Sequence, residues 1–420
     1  MFNPNIFMYG VWTVVIGLNC LHLFGIRGVS NEVYTMIIVG LVSYFMGGLL
    51  AVGLKNYRFV NRQNSFNKRG HAYSFSFNYR FIYILAYTTI GFLLIDTIIA
   101  TQYLLNGLSF TQVRMWLTQT YESNSNPIFS RRGYAEQVFR VFVVAPFQMA
   151  LSPLCAIEFF FGNRNRKLLW LTIIIQGFSL ISGGGARFGI IILGISFLTA
   201  YSMYKAKNHN ADRYSINSKK RKMRILIAVG VILVLIITTK RTSAKIMEEA
   251  YFYFALCLPL LSLWLPVIKT VPHTYGMVSL FGVTRIPFLF LEKLGIYNST
   301  LYSNAYDYVL QANSFRNISS GTRVANSFVT PYYYLYLDGG YTGIIIGMIL
   351  IGYAVNTCYY NVKNGFDMRT MYIMLLADIG LFYTFIRLEL TVTNYFLALL
   401  AMPLLFVKTD RGGAMDSLSD

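Results

Sequence analysis

The chain has 420 residues, of which 55% are hydrophobic and only 13% charged, with a mean hydropathy of +0.49 and a formal net charge of +19. Soluble domains carry roughly 25% charged residues, so a soluble enzyme, a disordered chain and a disulfide-rich secreted module do not fit. A polytopic membrane protein does, with room for about ten to twelve spans of ~20 residues.

In chain order, apolar runs of spanning length fall at 6–24, 33–54, 81–104, 138–161, 168–181, 188–204, 225–238, 332–355, 371–385 and 391–407. The fifth and seventh are short and are expected to extend into their flanks. A backbone in lipid must satisfy its own hydrogen bonds, so the runs read as helices. None alternates with period two, which argues against a membrane barrel. The expected fold is an all-α polytopic membrane protein, one integral domain over 1–420. It has about ten transmembrane helices and a large extracytoplasmic loop, 240–330, between the seventh and eighth. The cysteines Cys20, Cys155, Cys257 and Cys358 lie far apart without a CxxC pair and read as apolar membrane residues.

The basic residues orient the chain. Lys55, Arg58, Arg62, Lys68, Arg69 and Arg80 separate the second and third runs; Arg164, Arg166 and Lys167 separate the fourth and fifth. A third basic segment, Lys205 to Arg224, contains one acid, Asp212. The positive-inside rule makes all three cytoplasmic and, by parity, both termini too. The first run has no upstream charge cluster and no small-residue cleavage site, so it reads as a span. Topology thus accounts for most of the net charge. Nucleic-acid binding is the rival reading of the basic runs, but any such membrane protein carries them, and no nucleic-acid partner is expected. Lys219, Lys220, Arg221 and Lys222 are placed to meet anionic lipid heads.

On the other side Arg outnumbers Lys, a hint of phosphate, because Arg presents a rigid fork of donors. Three segments face that side: 105–137 with Arg114, Arg131 and Arg132; the turn Gly183-Gly184-Gly185-Ala186-Arg187; and the loop 240–330. Within the loop, 250–268 is apolar and holds Pro259 and Pro266. It reads as an interfacial or re-entrant helix in preference to an extra span. A second stretch, 278–294, could be amphipathic. Arg187, Arg241, Arg323 and Arg387 all adjoin helix ends near one outer plane. A single snorkelling Arg there is ordinary; several around one cavity would make a diphosphate clamp. The glycines read equally as a close backbone approach to ligand or as a plain hairpin.

The stretch 324–355, VANSFVTPYYYLYLDGGYTGIIIGMILIGYAV, resembles the span of bacterial O-antigen and capsular repeat-unit polymerases of the Wzy type, through Asn326, Phe328, Tyr333, Asp338, Gly339, Gly343 and Gly347. The GGGAR turn is similar to that family's SGSR-like turn, with Arg187 in the arginine position. YFYFALCLPLLSLWL, followed by Tyr275, Gly276 and Phe281, is similar to the start of its large outer loop. The resemblance covers 176–387 in patches. It implies a GT-C-like fold related to the O-antigen ligases. It also implies an enzyme that transfers a growing glycan from undecaprenyl diphosphate to the next lipid-linked oligosaccharide at the outer face of the bacterial cytoplasmic membrane. Lipid and a chain-length regulator are the further implied partners.

That reaction needs a stabilised diphosphate and a deprotonated acceptor hydroxyl. No HxxxH or DxD spacing occurs, so no metal or other cofactor is expected and the arginines carry the leaving-group charge. Glu249, His273 and Asp338 are candidate bases. Each has a plainer reading: Glu249 pairing with Lys245 four residues away, Asp338 as a structural cap, and His273 as an exposed loop residue. Glu389 reads as a surface partner of Arg387. Asp96 and Asp378 lie inside spans and should face the bundle; as a proton relay they keep a transporter reading open. A lipid-linked oligosaccharide flippase would favour internal repeats and short loops, which this chain lacks. A ligase of the same superfamily differs only in its acceptor. No His and Arg pair suggests a membrane O-acyltransferase.

Overall fold

The computed structural model describes residues 1–63, 73–109, 112–113, 134–162, 165–183, 187–207, 246–296, 300–319 and 323–410. The seventh predicted run, Arg241 and the glycines Gly184 and Gly185 lie outside the described residues. Among those described, six helical stretches are long and apolar enough to cross a membrane: Asn31–Leu54, Tyr79–Leu105, Arg140–Phe161, Phe188–Lys207, Met247–Ile268 and Thr330–Gly365. The chain is a helical multi-pass membrane protein.

The first helices are α1 (Pro4–Cys20), α2 (Asn31–Gln63) and α3 (Tyr79–Leu105). Next come α4 (Tyr134–Phe139) and, after a π-helical turn at Arg140–Val144, α5 (Ala145–Phe161), then α6 (Arg166–Ser182) and α7 (Phe188–Lys207). Asn3 starts α1 by accepting a hydrogen bond from the Asn5 amide at 2.9 Å, with Pro4 supplying a preset first turn. α2 buries Val33, Met36, Ile37 and Tyr44 and exposes Ile38, Val42, Phe45 and Leu49. The exposed stripe is what a lipid-facing helix shows.

The two ends of the bundle differ, and we refer to them as lower and upper. At the lower end Lys167 lies 4.6 Å from the ring centre of Tyr83, Lys207 5.6 Å from that of Phe161, and Arg369 4.0 Å from that of Phe75. Strand β1 (Tyr73–Phe77) pairs there antiparallel with Phe406–Asp410, close to the chain's end. The upper end carries the connection between α1 and α2.

Helices α8 (Ile246–Ala255) and α9 (Cys257–Ile268) pack across that upper end. The Tyr251 hydroxyl accepts from the Leu23 amide at 3.0 Å, and Ala255 O accepts from Asn19 Nδ2 at 3.2 Å. Further on, Ser262 Oγ accepts from the Ser30 amide at 3.2 Å, and Lys269 Nζ meets Glu32 Oε2 at 2.5 Å. Both ends of the 251–269 segment are therefore tied to the same α1–α2 connection. A crossing helix would separate its ends by roughly 30 Å along the membrane normal, whereas this segment keeps both ends at the upper end of the bundle despite its length and apolarity. Helices α10 (Phe281–Lys293) and α11 (Thr300–Gln311) follow, with the short pair β2 (Arg316–Asn317) and β3 (Val324–Ala325).

Helix α12 (Thr330–Gly365) reverses on itself. Gly339 has φ −175° and Gly340 φ 60° and ψ −141°, breaking the helical path. A Cβ placed on Gly343 would collide with the Leu335 carbonyl oxygen, and one on Gly347 with the Leu335 side chain. In a straight helix residues 335 and 343 stand roughly 12 Å apart, so 330–338 must fold back along 341–365. The second half runs parallel to α2, with Gly352 against the Tyr44 carbonyl and Asn356 against Gly48. Tyr332 packs on Gly40 and 5.2 Å from Trp12, centroid to centroid. The short arm thus begins well inside the bundle and rises to its apex at the upper end. The eighth predicted span is therefore a re-entrant arm followed by a long helix.

Helix α13 (Met368–Phe382) rises beside α7 and stops inside the bundle, and α14 (Thr393–Leu400) descends again. Between them, Thr384 Oγ1 lies 3.7 Å from Met8 Sδ, roughly 18 Å below the upper end of α1 at 1.5 Å per residue. The 383–392 connection is consequently buried deep in the bundle, beneath α8 to α11.

Candidate functional site

The predicted residues fall into three groups at two depths. At the upper rim Arg323 is saturated by carboxylates: Nη1 meets Glu249 Oε1 at 2.9 Å and Nη2 meets Glu248 Oε1 at 2.7 Å. Its guanidinium also lies over Phe252 at 4.4 Å. Glu249 thus pairs with Arg323 across the loop. Both prongs of the Arg323 fork are occupied, so a diphosphate could use it only by displacing two acids.

At the apex of the re-entrant arm, Asp338 is a full acceptor. Its Oδ1 takes the Thr274 hydroxyl at 2.6 Å and the Val278 amide at 3.2 Å, and its Oδ2 takes the Ser279 amide at 2.9 Å. The Asp338 carbonyl accepts from the Tyr275 amide at 3.1 Å. The carboxylate is buried and holds the 274–279 turn onto the arm, which is the work of a structural cap. His273 is exposed, with Nδ1 3.3 Å from the Leu337 carbonyl oxygen and its ring beside Gly340. His273 and Asp338 are neighbours, as parts of one joint.

The third group lies deep in the bundle. Arg387 donates from Nε to Glu389 Oε1 at 2.9 Å, and its guanidinium stands 5.5 Å from the ring centre of Phe188. Phe188 opens α7 directly after Arg187, whose carbonyl accepts the first bond of that helix from the Ile191 amide at 3.1 Å. Phe188 and Tyr383 rings lie 5.0 Å apart, and Tyr334 of the re-entrant arm is within electrostatic reach of Arg387 and Glu389. The arm is fixed to this floor by the Thr330 amide, which donates to Ile386 O at 3.0 Å. Arg187 and Arg387 therefore share one region, and it lies below the rim that holds Arg323. The expectation of a single outer plane for the arginines gives way here: the turn that carries Arg387 sits below the rim because α13 stops short.

The Arg387 contact has a chemical consequence. Glu389 engages the side of the guanidinium through Nε, and among the described residues no ion pair occupies its terminal nitrogens. A guanidinium held this way is oriented and still presents its two-pronged end, the arrangement suited to a phosphate.

Glu389 is the residue that sequence reading misses. It is only 2% exposed, not a surface partner. The signal available was the pattern FIRLEL, in which two charges alternate with apolar residues inside a hydrophobic stretch. Gly183 ends α6 with φ −83°, a conformation open to any residue. Asp96 pairs with Arg140, which also meets Glu136 at 2.8 Å, whereas Asp378 lies near Thr199 and Tyr44. Among the described residues, the neighbours named for these two acids are different. No protein-family model matches the chain, and neither a characterised protein nor a solved structure matches it.

Proposed function

We propose that the chain is a membrane glycosyltransferase that polymerises oligosaccharide repeat units carried on undecaprenyl diphosphate. The observation that carries this reading is the half-buried Arg387, steadied through Nε by the buried Glu389 and presenting its fork beside the start of α7 at Arg187. The lipid diphosphate is taken to bind these arginines, with the prenyl chain between helices and the glycan rising under α8 to α11. In that reading the lower end, rich in Lys and Arg, faces the cytoplasm, and the upper end faces the opposite side of the bacterial cytoplasmic membrane. About ten spans and a GT-C-like arrangement belong to the same proposal, as does a chain-length regulator as partner.

The arginines would stabilise charge as the bond between sugar and diphosphate breaks. A ligase of the same superfamily uses the same donor chemistry and differs in its acceptor. A flippase reading would draw on a relay between Asp96 and Asp378, whose named neighbours among the described residues are different. The test is deletion of the gene. Single lipid-linked repeat units on the outer face, without long glycan, are expected. Unchanged glycan length would overturn the polymerase reading, and units retained on the cytoplasmic side would favour a flippase.

A further inference from the structure

Among the described residues, three buried polar atoms of the deep group stand without the partners that buried polar groups normally have. Glu389 Oε2, Tyr383 Oη and Thr330 Oγ1 are each buried and, among the described residues, have no hydrogen-bond partner. They belong to one place: Thr330 is bonded to Ile386, Tyr383 O accepts the Arg387 amide at 2.8 Å, and Tyr383 lies within electrostatic reach of Glu389 and Arg387. Thr330 also has φ 64°, and Ser327 φ 61°. A β-branched residue at positive φ is strained, and such strain persists where the surroundings enforce it.

A ligand that satisfies this set must offer an anionic oxygen to the Arg387 fork and hydroxyl groups to Glu389, Tyr383 and Thr330. A sugar hydroxyl beside a phosphate has that chemistry. We propose that this floor is the subsite where the acceptor sugar meets the donor diphosphate, and that Glu389 is the base. The proposal rests on the polymerase reading.

In the step, the acceptor O–H passes its proton to Glu389 Oε2. The freed oxygen pair forms the new bond to the donor's anomeric carbon. The bond from that carbon to the diphosphate oxygen breaks, and its electron pair leaves on undecaprenyl diphosphate beside Arg387. Tyr383 and Thr330 hold the acceptor ring, and the Nε contact through Oε1 fixes the direction of Oε2.

The experiment uses full-length protein in nanodiscs, with the lipid-linked oligosaccharide extracted from the deletion strain as donor and acceptor. Glu389→Gln should lower kcat by about 10²-fold or more, with KM within about 3-fold of wild type, because the amide still accepts from Arg387 Nε. Tyr383→Phe should raise KM several-fold with little change in kcat. Polymerisation by Glu389→Gln within about 3-fold of wild type overturns the proposal. So does a loss of binding in Glu389→Gln equal to that of Arg387→Ala, which would make Glu389 only a support for the arginine. Should the Gln variant fail to accumulate, Glu389→Asp retains the charge but withdraws the carboxylate. Roughly tenfold slower turnover at unchanged KM supports the base, and wild-type turnover overturns it. If wild-type protein does not polymerise this substrate, the polymerase reading itself falls, an outcome distinct from failure of the Glu389 variants alone.

Discussion

The Leu335 carbonyl oxygen rests directly against the Cα of Gly343, a contact possible only because the chain reverses at Gly339 and Gly340. The three glycines carry different demands. Gly343→Ala drives a methyl into backbone that cannot move aside, and overpacking of this kind costs about 1–3 kcal/mol. Gly340→Ala asks an L-residue to hold φ 60° and ψ −141°, a region used almost only by glycine, at about 1–3 kcal/mol. Gly339 has extended φ and open space around it, so Gly339→Ala should be near neutral. Thermal unfolding in detergent is expected to rank Gly343→Ala and Gly340→Ala well below Gly339→Ala. Equal stability of all three variants would argue against the reversal.

Asp338 separates an anchor from a base. In Asp338→Asn one oxygen becomes an NH2 that must face an amide or hydroxyl donor, leaving a buried donor unmatched at about 1–3 kcal/mol. The melting temperature should fall. Turnover per folded molecule, measured by polymer yield against protein that survives size exclusion, should stay within about 3-fold. A drop of about 10²-fold in well-folded Asp338→Asn protein would restore Asp338 as a catalytic candidate.

Much of this architecture is legible in the residues. The apolar runs mark the helices, and the basic loops mark the lower end that Lys167, Lys207 and Arg369 occupy. The segment 250–268 reads as interfacial or re-entrant from its prolines and flanks, and in the fold both of its ends are tied to the α1–α2 connection. The reversal inside α12 is harder to see, because a 36-residue helix and a folded-back arm share the same apolar composition. Only the Asp338-Gly339-Gly340 sequence, a turn signal inside an apolar run, distinguishes them. The burial of Glu389 escapes for a related reason: the depth at which α13 stops is set by packing against α1 and α7, not by its own sequence. Ion-pair partners are likewise tertiary facts. Glu249 meets Arg323, 74 residues along the chain, while its predicted partner Lys245 lies outside the described residues.

The arginines should respond unequally. Arg387→Ala removes the free fork and is expected to lower polymer formation by roughly 10²–10³. Arg387→Lys keeps charge without the fork and should recover only part of it. Arg323→Ala removes a cation already committed to Glu248 and Glu249, so its effect on turnover should be below about tenfold, with some loss of stability from the two unpaired acids. Polymer amount and length at matched protein levels give the comparison. A larger loss in Arg323→Ala than in Arg387→Ala would move the diphosphate site to the rim.

Side of the membrane can be assigned with two positions that the fold leaves exposed. Ser314 follows α11 at the upper end, and Asn364 lies in the last turn of α12 at the lower end. Cys20 is itself exposed, so all four native cysteines are replaced first. In that background, Ser314→Cys should react with a membrane-impermeant maleimide from the extracytoplasmic side and Asn364→Cys only after the membrane is opened. The same result constrains 250–268. Its two ends are tied to one connection, so Met247→Cys, before the segment, and Tyr275→Cys, after it, should label from the same side as Ser314→Cys. Both native side chains are 81% exposed, which gives the reagent access. Labelling of Met247→Cys and Tyr275→Cys from opposite sides would mean that 250–268 crosses the membrane. The roof over Arg387 and Glu389 would then be lost, and the glycan could not approach them from the upper end.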